Sequence, residues 1–294
     1  MFVIIGIVIV LGAVVGGYLM EHGELLVLFQ PAEYVIILGA ALGTLIIANP
    51  PAVLKSMLGG LLGALKGNPY SKKYYLAALV AIYEVFQYVR KNGLAKLESD
   101  IENPKESPLF SQHQWLVKDH YALDFICDTF RMTMTGHVQP FELDQMLEHD
   151  LEVYHHEESV PVHSLQTVSD ALPGLGIVAA VLGVVITMGS LGGPPEEIGH
   201  KVAAALVGTF LGILFCYGIV SPVAASIEKS NAHRMEFLQT IKAAMVASVK
   251  GAAPILAVEQ ARRVVPPHVR PSFNEMEQAC KNGGNAAPKQ AEAA

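Results

Sequence analysis

Charged side chains of opposite sign gather at one place in this chain, Arg90-Lys91-Asn92-Gly93 followed by Glu98-Ser99-Asp100. Two roles are open to such groups. On neighbouring helix ends they form solvated pairs that contribute little. Presented outward, they set a docking partner's register and encounter rate more than its affinity. A second cluster, His155-His156-Glu157-Glu158, has the residue types of a metal site but not the spacing, because adjacent residues point in different directions on a helix. It is expected to be a polar linker. There is no Gly-Lys dipeptide to form a Walker phosphate loop and no Gly-x-Ser-x-Gly nucleophile turn. No catalytic set, metal or cofactor is expected.

The totals explain why chemistry is sparse. Of 294 residues, 52% are hydrophobic and only 16% charged, against roughly 25% charged in soluble domains. That balance suits a polytopic membrane protein with a modest soluble part. A net charge of −7 argues against nucleic-acid binding. Cys127, Cys216 and Cys280 are odd in number and far apart, so no disulfide framework is expected.

The elements that must position these residues are legible as uncharged runs. Residues 171–195 and 202–227 are each longer than the ~20 residues a bilayer-crossing helix needs. In lipid only a helix satisfies their backbone. Residues 2–20 lack a basic leader and a following Ala-x-Ala, so they read as a retained first span, and 34–54 form the second. The chain therefore divides into transmembrane helices 1–20 and 34–54, joined by an outer loop at 21–33, and 171–195 and 202–227, joined by one at 196–201. Charged segments at 55–170 and 228–294 complete it. Within 55–170, periodicity predicts helices over 74–88, 97–101, 120–134 and 141–154, with Asn92-Gly93 as a stop and no strand alternation. An amphipathic run to about Lys250 prolongs the fourth span, and Gly283-Gly284 opens a fraying tail. Ten of the 20 Lys and Arg lie in 55–170 and nine after Ile227. The positive-inside rule puts those segments and both termini in the cytoplasm. The expected fold is all-α: four membrane helices and a cytoplasmic helical bundle.

None of the four runs contains Asp, Glu, Lys, Arg or His. An intramembrane ionisable group is the usual mark of an ion pathway, so a proton crossing here needs an acid from another chain. The spans offer small residues instead: Ala204, Gly208 and Gly212 with Thr209 beside them, and Gly176, Ala179, Ala180 and Gly183. These suit ordinary helix packing or a smooth surface on which a foreign helix slides. Pro173 fits a first-turn proline, or one of a pair of coupling points. Pro222 lies deeper, where it should free the Gly218 carbonyl and kink the helix.

Several blocks are specific enough to carry a resemblance: Gly16-Gly17-Tyr18-Leu19, Gln30-Pro31-Ala32-Glu33, the stretch from Leu97 to Pro104, Pro173 to Ala180, Val207 to Leu214, Ser221-Pro222 and Arg270-Pro271-Ser272-Phe273. Over essentially its whole length the chain resembles the MotA family of flagellar stator subunits, within the wider MotA/TolQ/ExbB group of proton channels. The resemblance implies a homo-oligomer, a pentamer in membrane lipid around a MotB dimer whose aspartate accepts the proton. It implies that Arg90 and Glu98 contact the rotor protein FliG, and that Pro173 and Pro222 couple proton transfer to conformational change. Thr209 then matches a hydroxyl facing the ion. Ala180 stands where sodium-driven relatives carry a second threonine, which favours protons. Asp150 replaces another acidic residue of the family.

The function so implied is a proton-driven torque generator in the bacterial inner membrane. One rival is an ExbB or TolQ type energy transducer; those resemble only the third and fourth spans and have three in all. Another is a secondary transporter, which would need inverted repeats or broken helices with polar groups at mid-membrane; the two hairpins lack that symmetry.

Overall fold

The computed structural model describes residues 2–136, 138–189, 192 and 194–282. The tail expected from Gly283 onward lies outside the described residues. Every regular element is helical, with no strand among the described residues. In chain order the helices are α1 (Phe2–Met20), α2 (Leu25–Leu28), α3 (Pro31–Ala48), α4 (Pro51–Lys66), α5 (Lys72–Asn92), α6 (Leu94–Glu102), α7 (Pro108–Ser111), α8 (Gln114–Lys118), α9 (His120–Thr135), α10 (Pro140–Met188), α11 (Pro195–Ile213), α12 (Ser221–Val249), α13 (Pro254–Val264) and α14 (Phe273–Lys281). A π-helical turn, Leu214–Val220, joins α11 to α12. Four stretches are long and apolar enough to cross a membrane: Phe2–Met20, Leu25–Ala48, Pro140–Met188 and Pro195–Val249.

Prolines decide the second stretch. Where periodicity suggests one helix over 34–54, the backbone leaves the helical region at Asn49 (φ −131°, ψ 137°) and Pro50 (φ −67°, ψ 157°). A proline crowds the residue before it into extended geometry, and Asn49 and Pro50 each precede one. Pro51, at the first position of α4, then restarts the helix. At the other end Pro31 plays the same role, so α3 begins early and takes Glu33 into its first turn. The third stretch behaves in the opposite way. α10 holds Pro161 and Pro173 inside one 49-residue helix. The residues expected over 141–154, the His155–Glu158 cluster and the start of the third span therefore share a single rod, and the expected polar linker is helix surface.

The chain forms two compact units. The first comprises described residues within 2–67 and 156–231. Its interior is thin: Ile37, Ala41, Leu172, Ala179, Val207, Leu211 and Cys216 form one cluster, Ala64, Val162, Val223 and Ile227 another. α1 buries no residue, and Val8, Ile9, Val181, Val185, Ile186 and Leu206 are largely exposed.

The second unit, 68–155 and 232–282 among described residues, has a broad core from Leu79 and Leu97 through Leu123 and Leu143 to Ile241 and Met276. Phe237 sits among Tyr70, Tyr74, Tyr75 and Trp115 with ring centroids 5.2–6.0 Å away. Polar side chains close the helix ends. Ser71 and Asp119 cap α5 and α9, and Ser272 with Glu275 makes a full capping box on α14. Lys242, nearly buried, bonds Asp144 at 2.8 Å and also Glu148. Arg234 holds Asp119 at 2.9 Å.

Candidate functional site

The uncharged helices of the first unit meet through the residues whose spacing attracted notice. α10 and α11 cross so closely at Gly176 that an added Cβ would stand 2.7 Å from the Gly208 carbonyl, 3.1 Å from Gly212 Cα and 3.3 Å from Thr209 Cα. A Cβ on Gly212 would meet the Leu172 carbonyl at 2.5 Å, and one on Gly183 would meet Ala205 Cβ at 2.7 Å. Glycine is required because backbone meets backbone. Within one chain, then, Gly176, Gly208 and Gly212 serve the packing of α10 against α11. Thr209 and Ala180 flank the seam on α11 and α10, both half-buried, so the two expected pathway residues are brought to one place.

Pro173 is not a first-turn residue. It lies deep inside α10, half-buried, and its missing N–H leaves the Ser169 carbonyl without its i+4 donor. Ser169 is fully buried, and its hydroxyl donates to the Cys216 carbonyl across the seam at 3.3 Å. Cys216 belongs to the π turn, where its carbonyl also accepts the Ser221 N–H five residues on. Pro222 follows one residue later and is exposed. The expected break before Pro222 thus takes the form of a widened turn whose surplus carbonyl capacity is shared with α10. Helices use such turns at functional sites. Sequence reasoning identified both prolines but missed Ser169, which has no pattern of its own.

It also missed Glu33. Assigned to a loop, this residue lies in the first turn of α3, is 6% exposed, and its Oε2 lacks a hydrogen-bond partner. Oε2 presses on Gly208, which also has Ala179 Cβ and the Ala180 nitrogen near its missing side chain at 3.1 and 3.2 Å. The available signal was Pro31, whose preference for a first helical position would have drawn Glu33 into the helix.

In the second unit, α5 ends at Gly93 with φ +81°, a conformation only glycine adopts freely, and α6 starts at once. Leu97 and Ile101 are fully buried and anchor α6, which turns Glu98 outward. Asp100 is occupied by the Ser107 hydroxyl at 2.6 Å. Arg90, in the last turn of α5, and Glu98 are both exposed, and neither joins an ion pair among the described residues. The pairing of the two across the turn is therefore not what the structure holds. Asp150 is exposed on α10.

Family models match on either side of this turn: "Motility protein A N-terminal" over residues 4–93 and "MotA/TolQ/ExbB proton channel family" over 119–240. Motility protein A of Escherichia coli (strain K12) is 40% identical over 95% of this chain and 94% of its own length. The chain belongs to the motility protein A family. A further relative is chemotaxis protein LafT of Vibrio parahaemolyticus, 37% identical over 93% of this chain and 96% of that protein. Two solved structures, "Structure of C. jejuni MotAB" and the MotAB stator complex of Bacillus subtilis, share the fold. Their TM-scores are 0.73 and 0.66 at 18% and 20% identity, each over 90% of this chain and 95% of that one. A motility protein A is a flagellar stator subunit of the proton channel type and an inner-membrane protein, not an enzyme. The N-terminal match, absent from the expectation for an ExbB or TolQ protein, sets that rival aside.

Proposed function

We propose that this chain forms a ring of five around a MotB dimer, passes protons along the α10–α11 seam, and turns each transfer into torque on FliG. The observation that carries the reading is the seam itself. Residues 171–195 and 202–227 hold no Asp, Glu, Lys, Arg or His, and the closest approaches are those of Gly176 to Gly208 and Gly212 and of Gly183 to Ala205. Neither α10 nor α11 supplies an acid beside Thr209, so the acid that moves with the ring comes from a partner, and the two solved structures described above are MotAB complexes by name. Protonation of that partner acid removes a charge whose desolvation is expensive, which changes the preferred seating of its helix in the ring. Ala180 in place of a second hydroxyl supports protons over sodium.

Pro173 and Pro222 transmit the change. Each removes a backbone donor near the Ser169–Cys216 bond, so the two helices are tied by one shared carbonyl and not by a rigid ladder. In this reading the second unit and both termini are cytoplasmic, as the basic residues favour. The outward Arg90 and Glu98 then meet the rotor.

Charge reversal tests the rotor contact. In a strain whose only stator is this chain with its MotB, R90E is expected to reduce swimming severely, and an opposite reversal on FliG to restore part of it. If no rotor charge change compensates, the contact lies elsewhere. Swimming that survives sodium removal and stops with a protonophore is expected for the ion; the reverse would assign sodium.

A further inference from the structure

Among the described residues of the first unit is a buried carboxyl that the mechanism above does not use, Glu33, one helical turn from the lining of a cleft with charged walls. The cleft, about 720 Å³, is lined by Glu24 and Gln30 before α3 and by Glu196, Glu197, His200 and Lys201 on the first two turns of α11. Its lower wall includes Ala204. One helical turn further in from Gln30 is Glu33, and one turn further in from Ala204 is Gly208, the two residues that press on each other. Gly208 is roughly 10 Å along the helix from Lys201 at 1.5 Å per residue. The carboxyl therefore lies one helical turn beyond two residues that line the cleft, Gln30 and Ala204, and against the backbone of the seam that carries Thr209 and Ala180.

Around Gly208, where the Oε2 of Glu33 sits, the other nearest groups are Ala179 Cβ and the Ala180 nitrogen on α10, neither of them titratable. The titratable groups above it are those of the cleft, with Lys201 already bonded to Glu197 at 2.8 Å. A carboxyl with an orphaned oxygen against small apolar residues is costly as an anion and cheap as an acid. Water reaching it from the cleft reverses that balance. A group that gains by holding a proton when dry and by releasing it when wet is a proton-exchange site.

We propose that Glu33 takes a proton from hydronium entering by way of the neighbouring cleft and hands it to the pathway beside the seam. The inference rests on the stator reading and places the cleft on the outer face. The transfer is balanced: the carboxylate accepts a proton from hydronium, leaving water, and the carboxylic acid passes it to another water, forming hydronium, or to the next carboxylate inward. The side chain also explains Gly208, since a methyl group there would occupy the position of Oε2.

The test uses the full chain with its MotB in cells lacking other stators, with membrane amount and swimming speed followed from acidic to mildly alkaline external pH. If the parent chain fails to restore motility, the stator reading itself falls, separately from this one. E33Q keeps shape and loses the proton; it is expected to accumulate normally, swim several-fold more slowly and lose the parent's response to external pH. E33D keeps a titrating group and is expected to retain that response at reduced speed. Parental speed and pH response in E33Q would overturn the proposal, as would equal slowing of both variants with the parental response intact, which marks a structural role. Should E33Q fail to accumulate, E33D decides alone: a retained pH response supports the site and a flat one overturns it.

Discussion

The two units solve the packing problem in opposite ways. In the first, small residues make the closest helix contact and many large apolar ones stay outside: Gly176, Gly208 and Gly212 line the contact while Val8, Val181 and Leu206 face outward. In the second, Phe237, Tyr75 and Leu123 fill the middle, and Arg, Lys, Asp and Glu close the surface. The difference is the solvent. In water, hydrophobic burial drives large side chains inward at about 25 cal/mol per Å². In lipid that drive is absent, and close backbone approach takes its place. One chain thus has two cores obeying different rules, and substitutions should expose which rule applies where.

The sharpest break is Gly176→Val. The added atoms would run into the Gly208 carbonyl and Gly212 Cα, both backbone, so neither can swing aside. Loss of membrane accumulation and of motility is expected, and normal levels by immunoblot would contradict the backbone-contact rule. Next is Phe237→Ala in the second unit, where four rings lose their common neighbour. A large-to-small change there costs about 3–5 kcal/mol, read as a fall in the thermal midpoint of the purified complex. A shift within the error of that midpoint would mean the core closes around the gap.

The smallest expected effect is electrostatic. Glu259 accepts hydrogen bonds from Arg262 at 2.6 and 2.8 Å and from Arg263 at 2.8 Å, which hold its carboxyl below the ordinary carboxylate value of 4.5. A depressed acid contributes stability above its unfolded value and loses it as pH falls through the folded one. E259Q should therefore lower the thermal midpoint modestly at neutral pH, with the gap to the parent narrowing below pH 4.5. A gap independent of pH would assign the residue a packing role only.

How much of this was legible in the sequence follows the same division. The uncharged runs announced the membrane helices, because a helix apolar on every face over 19 residues must be buried on every side, in lipid or in a large core. The stripe over 74–88 announced α5, and Asn92-Gly93 its end, because glycine alone takes φ +81° without strain. The helix breaks were harder. Pro50-Pro51 ended α3 while α10 runs on through Pro161 and Pro173, and the difference is local: two consecutive prolines hold both Asn49 and Pro50 extended, where an isolated one removes a single backbone bond. Of the site, Arg90, Glu98, Thr209, Ala180 and both prolines were named through the resemblance to the MotA family, since types and spacing alone left solvated charges, ordinary packing and a static bend open. Glu33 could not be named, because its burial depends on a glycine 175 positions further along the chain.

The π turn at Leu214–Val220 bears on how relatives should be aligned. Such a turn accommodates one residue beyond an ordinary helix. A homologue one residue shorter here would form an unbroken α-helix and still present every downstream side chain in the same direction. A single-position gap before Pro222 therefore marks an equivalent solution, and spacing counted across it will misassign faces unless the surplus residue is set aside.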